Sequence, residues 1–181
     1  MDTGSRYPRR KTLRLPDYDY SQPGAYFITL LTYRRQQMLC DILDGEPVYT
    51  RFGLIVKDSW MNLVQYHARL RLDEFCIMPD HLHGILWLVE DSNGGSTPID
   101  PRVSEPATEM STASGLLSEI IRGFKSFSAR KINTIRGTTG SPVWQRGFYE
   151  HVISGEDELN QIRQYILENP LKWQFEQSQQ S

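Results

Sequence analysis

Cysteine is scarce. Cys40 and Cys76 are the only two in 181 residues, and they stand far apart in no metal-binding or redox spacing. A disulfide framework and a cysteine-ligated centre are excluded, and two lone thiols fit a reducing compartment. Long apolar runs are missing as well: none reaches the length needed to span a bilayer, so no membrane association is expected. Arg9-Arg10-Lys11 is basic, but no apolar core follows it, so it is not expected to be an export signal. The expected location is a bacterial-type cytoplasm. There is no internal repeat. The net charge is only −2, a balance that carries no sign of nucleic acid by itself. What remains is enough chain for one well-formed core.

The distribution of charge says more than its sum. Arg6, Arg9, Arg10, Lys11 and Arg14 crowd the first residues, and Arg122, Lys125, Arg130, Lys131 and Arg136 crowd a second segment almost free of acids. Either cluster alone reads better as a solvated face. Together, a basic arm and a basic helix can bind phosphates on a mildly acidic protein.

Two of the four histidines fall in Met78-Pro79-Asp80-His81-Leu82-His83-Gly84-Ile85-Leu86-Trp87-Leu88. On a strand, successive side chains alternate faces, so His81 and His83 point one way and Leu82 the other. Ile85 and Trp87 continue the histidine face, while Leu86 and Leu88 continue the opposite one. A strand apolar on both faces is an inner strand covered on both sides. The imidazoles form half of a metal site, or ordinary strand histidines satisfied by a carbonyl or carboxylate; Asp80 serves either reading.

The remaining pattern gives an order of elements. Residues 1–24, punctuated by Pro8, Pro16, Pro23 and Gly24, read as an arm. A first strand is expected over 26–33, rich in β-branched and aromatic residues. A connection with a short strand at Val48-Tyr49 follows, then a helix over 51–66 carrying Leu54, Val56, Trp60, Leu63 and Val64. His67 at its end reads as a surface or capping residue, where a cation suits the helix dipole. A strand over 70–78 turns at Pro79-Asp80 into the histidine strand as an antiparallel hairpin. Residues 91–112 read as a long flexible loop. A helix opening near residue 114 is broken by the stretch 137–142. The run 143–153 is strand-like, with Phe148, Glu150 and Val152 on one side and Tyr149, His151 and Ile153 on the other. Ser154-Gly155-Glu156-Asp157 starts a last helix that Pro170 helps to end, and a polar tail follows over 174–181.

The order β-α-β-β-α-β is the split βαβ, or ferredoxin-like, plan: an α+β fold with an antiparallel sheet and two helices on one face. The extra C-terminal helix is expected over the histidine face. On it, Tyr165 and Asn169 are four residues apart and share a side. If that helix covers the histidines, the site contains two imidazoles, an amide oxygen and a phenol. Such a set can hold a divalent ion as Lewis acid, Mg2+ or, at least as comfortably, Mn2+. A phenol beside a metal-bound phosphodiester is a candidate nucleophile. Against this, Tyr165 can be an amphipathic packing residue and Asn169, before Pro170, a helix end. Glu150 and His151 are rival ligands.

Three stretches resemble a known family: Met78-Pro79-Asp80-His81-Leu82-His83, Val143-Trp144-Gln145-Arg146-Gly147-Phe148-Tyr149-Glu150-His151-Val152-Ile153, and Tyr165-Ile166-Leu167-Glu168-Asn169-Pro170. They resemble the HUH single-strand DNA endonucleases, and more closely the single-tyrosine transposases called REP-associated tyrosine transposases. The resemblance runs from about Tyr26 to Trp173, and it defines a domain of 25–173 after the arm. It implies His81 and His83 as the metal pair, Asn169 as the third ligand, and Tyr165 as the nucleophile that takes a 5′-phosphate of single-stranded DNA. It implies hairpin-bearing, palindromic repeats as substrate, nucleoid-associated activity, and a monomer or homodimer. Arg9, Arg10, Lys11, Arg122, Lys125 and Arg146 are candidate phosphate contacts. One departure is visible: the family's usual Arg after the Glu-His-Val-Ile stretch is here Ser154. Two alternatives stay open, a non-catalytic hairpin DNA- or RNA-binding module and a metal-dependent nuclease that uses water.

Overall fold

The computed structural model describes residues 23–90 and 115–179. The basic arm with Arg9, Arg10 and Lys11 and the segment 91–112 lie outside the described residues, apart from the last two positions of the arm.

Four strands form one sheet: β1 (Gly24–Leu31), β4 (Leu70–Met78), β5 (His81–Leu88) and β6 (Tyr149–Ile153). Their order across the sheet is β4-β5-β1-β6, with every neighbouring pair antiparallel. This is the expected ferredoxin-like arrangement, with the histidine strand β5 inside. The turn between β4 and β5 is Pro79-Asp80, as its residue types dictate.

Alternation along each strand sorts the sheet into two faces. Tyr26, Ile28 and Leu30 of β1 and Leu82, Leu86 and Leu88 of β5 join one core cluster. Helix α1 (Arg51–Met61) and helix α3 (Gly115–Arg136) cover this face through Val56, Trp60, Ile120, Ile121, Phe124 and Ile132. Thr50 caps α1, its hydroxyl accepting from the Phe52 and Gly53 amides. The other face gathers Ala25, Cys76, Met78, Ile85 and Ile153 with Leu159 and Ile166 of helix α4 (Glu156–Ser178). The C-terminal helix therefore lies on the histidine face.

Several local expectations are corrected. The helix over 51–66 is divided at Asn62 into α1 and a single-turn α2 (Leu63–Tyr66). His67 stands at the C-cap of α2, half-buried, and burial pushes its pKa down. The connection after β1 contains a full hairpin, β2 (Cys40–Leu43) with β3 (Glu46–Tyr49). Of the run 143–153 only the last five residues are strand; Trp144 adds one isolated bridge to Thr32.

The largest difference is at the end. Pro170 does not stop α4, and the tail from Gln174 is helical to Ser178. A proline removes one i→i−4 hydrogen bond and costs about 3 kcal/mol in a helix interior. Tertiary contacts offset this. Pro170 itself is buried, Trp173 packs into the second core cluster, and the Gln174 side-chain oxygen accepts from the Gly45 amide in the β2–β3 turn.

Candidate active site

The pairing register builds the site's floor. Leu31 of β1 lies opposite His81, and Thr29 lies opposite His83 on one side and Tyr149 on the other. The two imidazoles stand edge to face with centroids 4.5 Å apart. Both are buried. Phe27 stacks on His83 at 5.4 Å, which excludes water from one side of the ring.

Each imidazole is oriented through Nδ1. His81 Nδ1 lies 2.6 Å from Asp80 Oδ1, and His83 Nδ1 lies 2.9 Å from Thr29 Oγ1. With those nitrogens donating, Nε2 of each ring carries the free lone pair, the arrangement that metal-ligating histidines adopt. Burial, and then the neighbouring His81 and Arg35, push the His83 pKa down to about 3. His83 is thus neutral, as a ligand must be.

Helix α4 forms the roof. The Tyr165 hydroxyl is 3.4 Å from His83 Nε2, and its ring meets Phe27 edge-on at 6.1 Å. Asn169, one turn later, is buried. Tyr165 and Asn169 line a single open pocket of ≈ 300 Å³ with His81, His83, Thr29 and Arg35. Leu31, Lys172, Trp173 and Glu176 complete its lining; Trp173 lies 6.0 Å from the His81 ring.

The donor set fits a divalent cation. Among the described residues no group of three or more His, Cys, Asp or Glu could hold one, so the two imidazoles with the Asn169 amide oxygen are the candidate set, and the Glu176 carboxylate also lines the pocket. Nitrogen and neutral oxygen donors with room for water suit Mn2+ at least as well as Mg2+.

The position of α4 is set at three points. Arg163 forms a fork on Asp73 of β4, Nε to Oδ1 at 2.9 Å and Nη2 to Oδ2 at 2.7 Å, and Trp87 Nε1 donates to the same carboxylate at 2.8 Å. The Arg163 bond chiefly holds the Asp73 pKa down to about 2. At the helix start, Glu158 accepts from the amide and the hydroxyl of Ser154 and contacts His151 Nε2 at 2.7 Å. Ser154, the departure from the family pattern, is therefore part of the helix entry. At the far end stands the bond from Gly45 to Gln174.

The rival ligands fall elsewhere. His151 is engaged with Glu158, and the side chain of Glu150 is buried on a strand position facing away from the histidines. The basic helix is not at the pocket either: α3 covers the opposite sheet face. Arg122 and Arg146 are exposed there and on the following loop. Lys125 donates to the carbonyls of Gln145 and Gly147, the latter at 2.8 Å, so it holds the loop that carries Arg146.

Sequence reasoning did not single out Thr29, Arg35 or Trp173. The signal for Thr29 and Arg35 is the strand pairing, since the end of β1 must meet the start of β5 once both are placed in one sheet. Trp173 was hidden by the expectation that α4 ends at Pro170.

No protein-family model matches the sequence. A curated protein of Haemophilus influenzae, described as an uncharacterized protein, is 34% identical over 172 residues, covering 93% of this chain and 92% of its own length. A second protein of that organism, named "Putative REP-associated tyrosine transposase", is 24% identical over 155 residues, covering 85% of this chain and 74% of its own. A solved structure described as the REP-associated tyrosine transposase bound to a REP hairpin superposes with a TM-score of 0.53 at 18% identity, over 82% of this chain and 67% of that one. The fold is that of the REP-associated tyrosine transposases, and the resemblance read from the three motifs holds in sequence and in architecture. The chain belongs to one family with the first Haemophilus protein.

Proposed function

We propose that this chain is a divalent-metal-dependent single-strand DNA endonuclease and strand transferase, acting on hairpin-bearing DNA through a 5′-phosphotyrosine at Tyr165. Transposases among its relatives and structural neighbours support a DNA-processing enzyme in general. The observation that carries the finer reading is the approach of the Tyr165 hydroxyl to Nε2 of His83, 3.4 Å, in a pocket shared with His81 and Asn169.

His81, His83 and Asn169 would hold the cation. When bound, it would supply Lewis-acid polarisation of a phosphodiester oxygen. The chain's own residues do the rest. Phe27 and Trp173 wall the site, while Asp80 and Thr29 fix the two ring orientations. Tyr165 presents its oxygen to the phosphorus. A bond forms between the Tyr165 oxygen and phosphorus, and the bond from phosphorus to the 3′-oxygen breaks. The phenol proton passes through water to the departing oxygen, which leaves as a 3′-hydroxyl. Attack by that or another 3′-hydroxyl on the phosphotyrosine reverses the step and joins strands.

The test is covalent trapping. Labelled single-stranded hairpins from palindromic repeats flanking the gene are incubated with protein and Mg2+ or Mn2+, then run on a denaturing gel for wild type and Tyr165→Phe. A metal-dependent shifted band in wild type alone is expected. Cleavage by both proteins without a shifted band would move the assignment to a water-using nuclease. Binding without cleavage would leave a hairpin-binding module.

A further inference from the structure

We propose that Arg35 binds the phosphate on which Tyr165 acts, and that Asp80 holds it in place; this rests on the reading of the pocket as a phosphodiester site.

Arg35 lines the pocket with His81, His83 and Tyr165. Its Nε lies 2.7 Å from Asp80 Oδ2, and Oδ1 of the same carboxylate contacts His81 Nδ1 at 2.6 Å. The Asp80 side chain is 4% exposed. One buried carboxylate thus fixes the guanidinium relative to the metal-binding imidazole. Only Nε is used in this contact. Among the described residues Nη1 and Nη2 have no protein partner, and the Arg35 side chain is 52% exposed. The other pocket cation, Lys172, commits its one ammonium to Glu168 at 2.7 Å.

The backbone points the same way. Arg34 and Arg35 have φ of 56° and 57°, the left-handed region that side-chain-bearing residues rarely adopt. A turn needed only to reverse the chain would use glycine. The strained turn is bolted to the loop before the histidines. The Thr32 hydroxyl lies 2.8 Å from the Gln36 carbonyl and 2.9 Å from that of Asp80, while the Thr32 amide donates to Asp80 and the Met38 and Leu39 amides to Pro79. Strain held this firmly is characteristic of functional sites.

The chemistry matches the position. During attack by the Tyr165 oxygen, negative charge gathers on the non-bridging phosphate oxygens. A planar fork of N–H donors, already oriented and always charged, is suited to them. Arg35 donates these hydrogen bonds and transfers no proton, so the balance of the step is unchanged.

The experiment compares adduct formation by wild type, Arg35→Gln and Arg35→Gly on the hairpin strands with Mn2+, alongside binding of the same strands by Tyr165→Phe with and without Arg35→Gln. Thermal midpoints are measured beside the rates: Arg35→Gly relaxes the left-handed backbone but removes the partner of the buried Asp80 carboxylate, whereas Arg35→Gln keeps an N–H donor for it and guards against misfolding. Both Arg35 variants are expected to form adduct about a hundredfold more slowly. In the Tyr165→Phe background, Arg35→Gln is expected to reduce the slope of log affinity against log salt by about 0.7, the loss of one single-strand phosphate contact. Wild-type rates in both variants, or an unchanged slope, would overturn the assignment to Arg35 while leaving the tyrosine chemistry intact. If wild type forms no adduct, the tyrosine reading falls and the salt slope still decides whether Arg35 grips phosphate.

Discussion

The hydroxyl of Tyr165 and Nε2 of His83 meet at 3.4 Å across 82 positions of sequence, one on α4 and the other on β5. Tyr165 is 41% exposed, so its ring contributes little to the core. Tyr165→Phe is expected to change folding stability by no more than about 0.5 kcal/mol while abolishing the covalent adduct. Thermal unfolding run beside the trapping gel checks this; a large loss of stability would make the hydroxyl a structural hydrogen-bonding group.

Asp80 orients His81 through Nδ1. Partners of this kind set ligand basicity as well as direction. Asp80→Asn is expected to weaken Mn2+ binding about 10- to 100-fold, measured by calorimetry on the DNA-free protein. Thr29→Val should act in the same direction through His83, since it removes the hydroxyl at 2.9 Å.

The Arg163 fork on Asp73 has a pH signature. The folded-state pKa of Asp73 is about 2 against an ordinary 3.8, so the folded state favours the ionised carboxylate. That contribution is complete above about pH 4 and fades as pH falls through about 2. Asp73→Asn should therefore be less stable than wild type at neutral pH, with the gap narrowing over this acid window. Urea midpoints across pH 2 to 7 read the difference, and a constant gap would refute it.

Gly84 follows His83 and faces the opposite side of β5. A Cβ there would lie 2.5 Å from Cζ2 of Trp60, a ring that is itself fully buried. Gly84→Ala is expected to destabilise the protein by about 1–3 kcal/mol through overpacking. Denaturant unfolding measures the loss. Pairing it with Trp60→Phe should recover part of it, because the smaller ring vacates the contested space.

The sheet was largely legible in the sequence because alternation is a local signal. The strand over 70–78, the turn at Pro79-Asp80 and the two-sided apolar character of β5 all follow from side-chain parity. His81, His83, Tyr165 and Asn169 meet as expected, since an unpartnered helix and an uncovered sheet face have one economical arrangement. Other features depend on contacts distant in sequence. The β2 strand is only four residues long, too short for alternation to show, so nothing local separates it from a loop. Pro170 stays helical because Trp173 and Gln174 find partners on β5 and in the β2–β3 turn. The left-handed pair Arg34-Arg35 carries no glycine or asparagine to announce it, and its meeting with Asp80 exists only once Leu31 is registered against His81.

Helix α4 is fastened near its start by Ser154 and Glu158, in its first half by Arg163 on Asp73, and near its end by Gln174 on Gly45. Tyr165 sits between these anchors. Under the chemistry proposed above, a nucleophile mounted this way would be an anvil with no swing of its own. The covalently held end would stay where it was made, and the incoming 3′-hydroxyl would have to be delivered to it. The choreography of strand exchange would then belong to the nucleic acid, through the folding and refolding of its hairpins, while the protein kept one fixed point around which they rearranged.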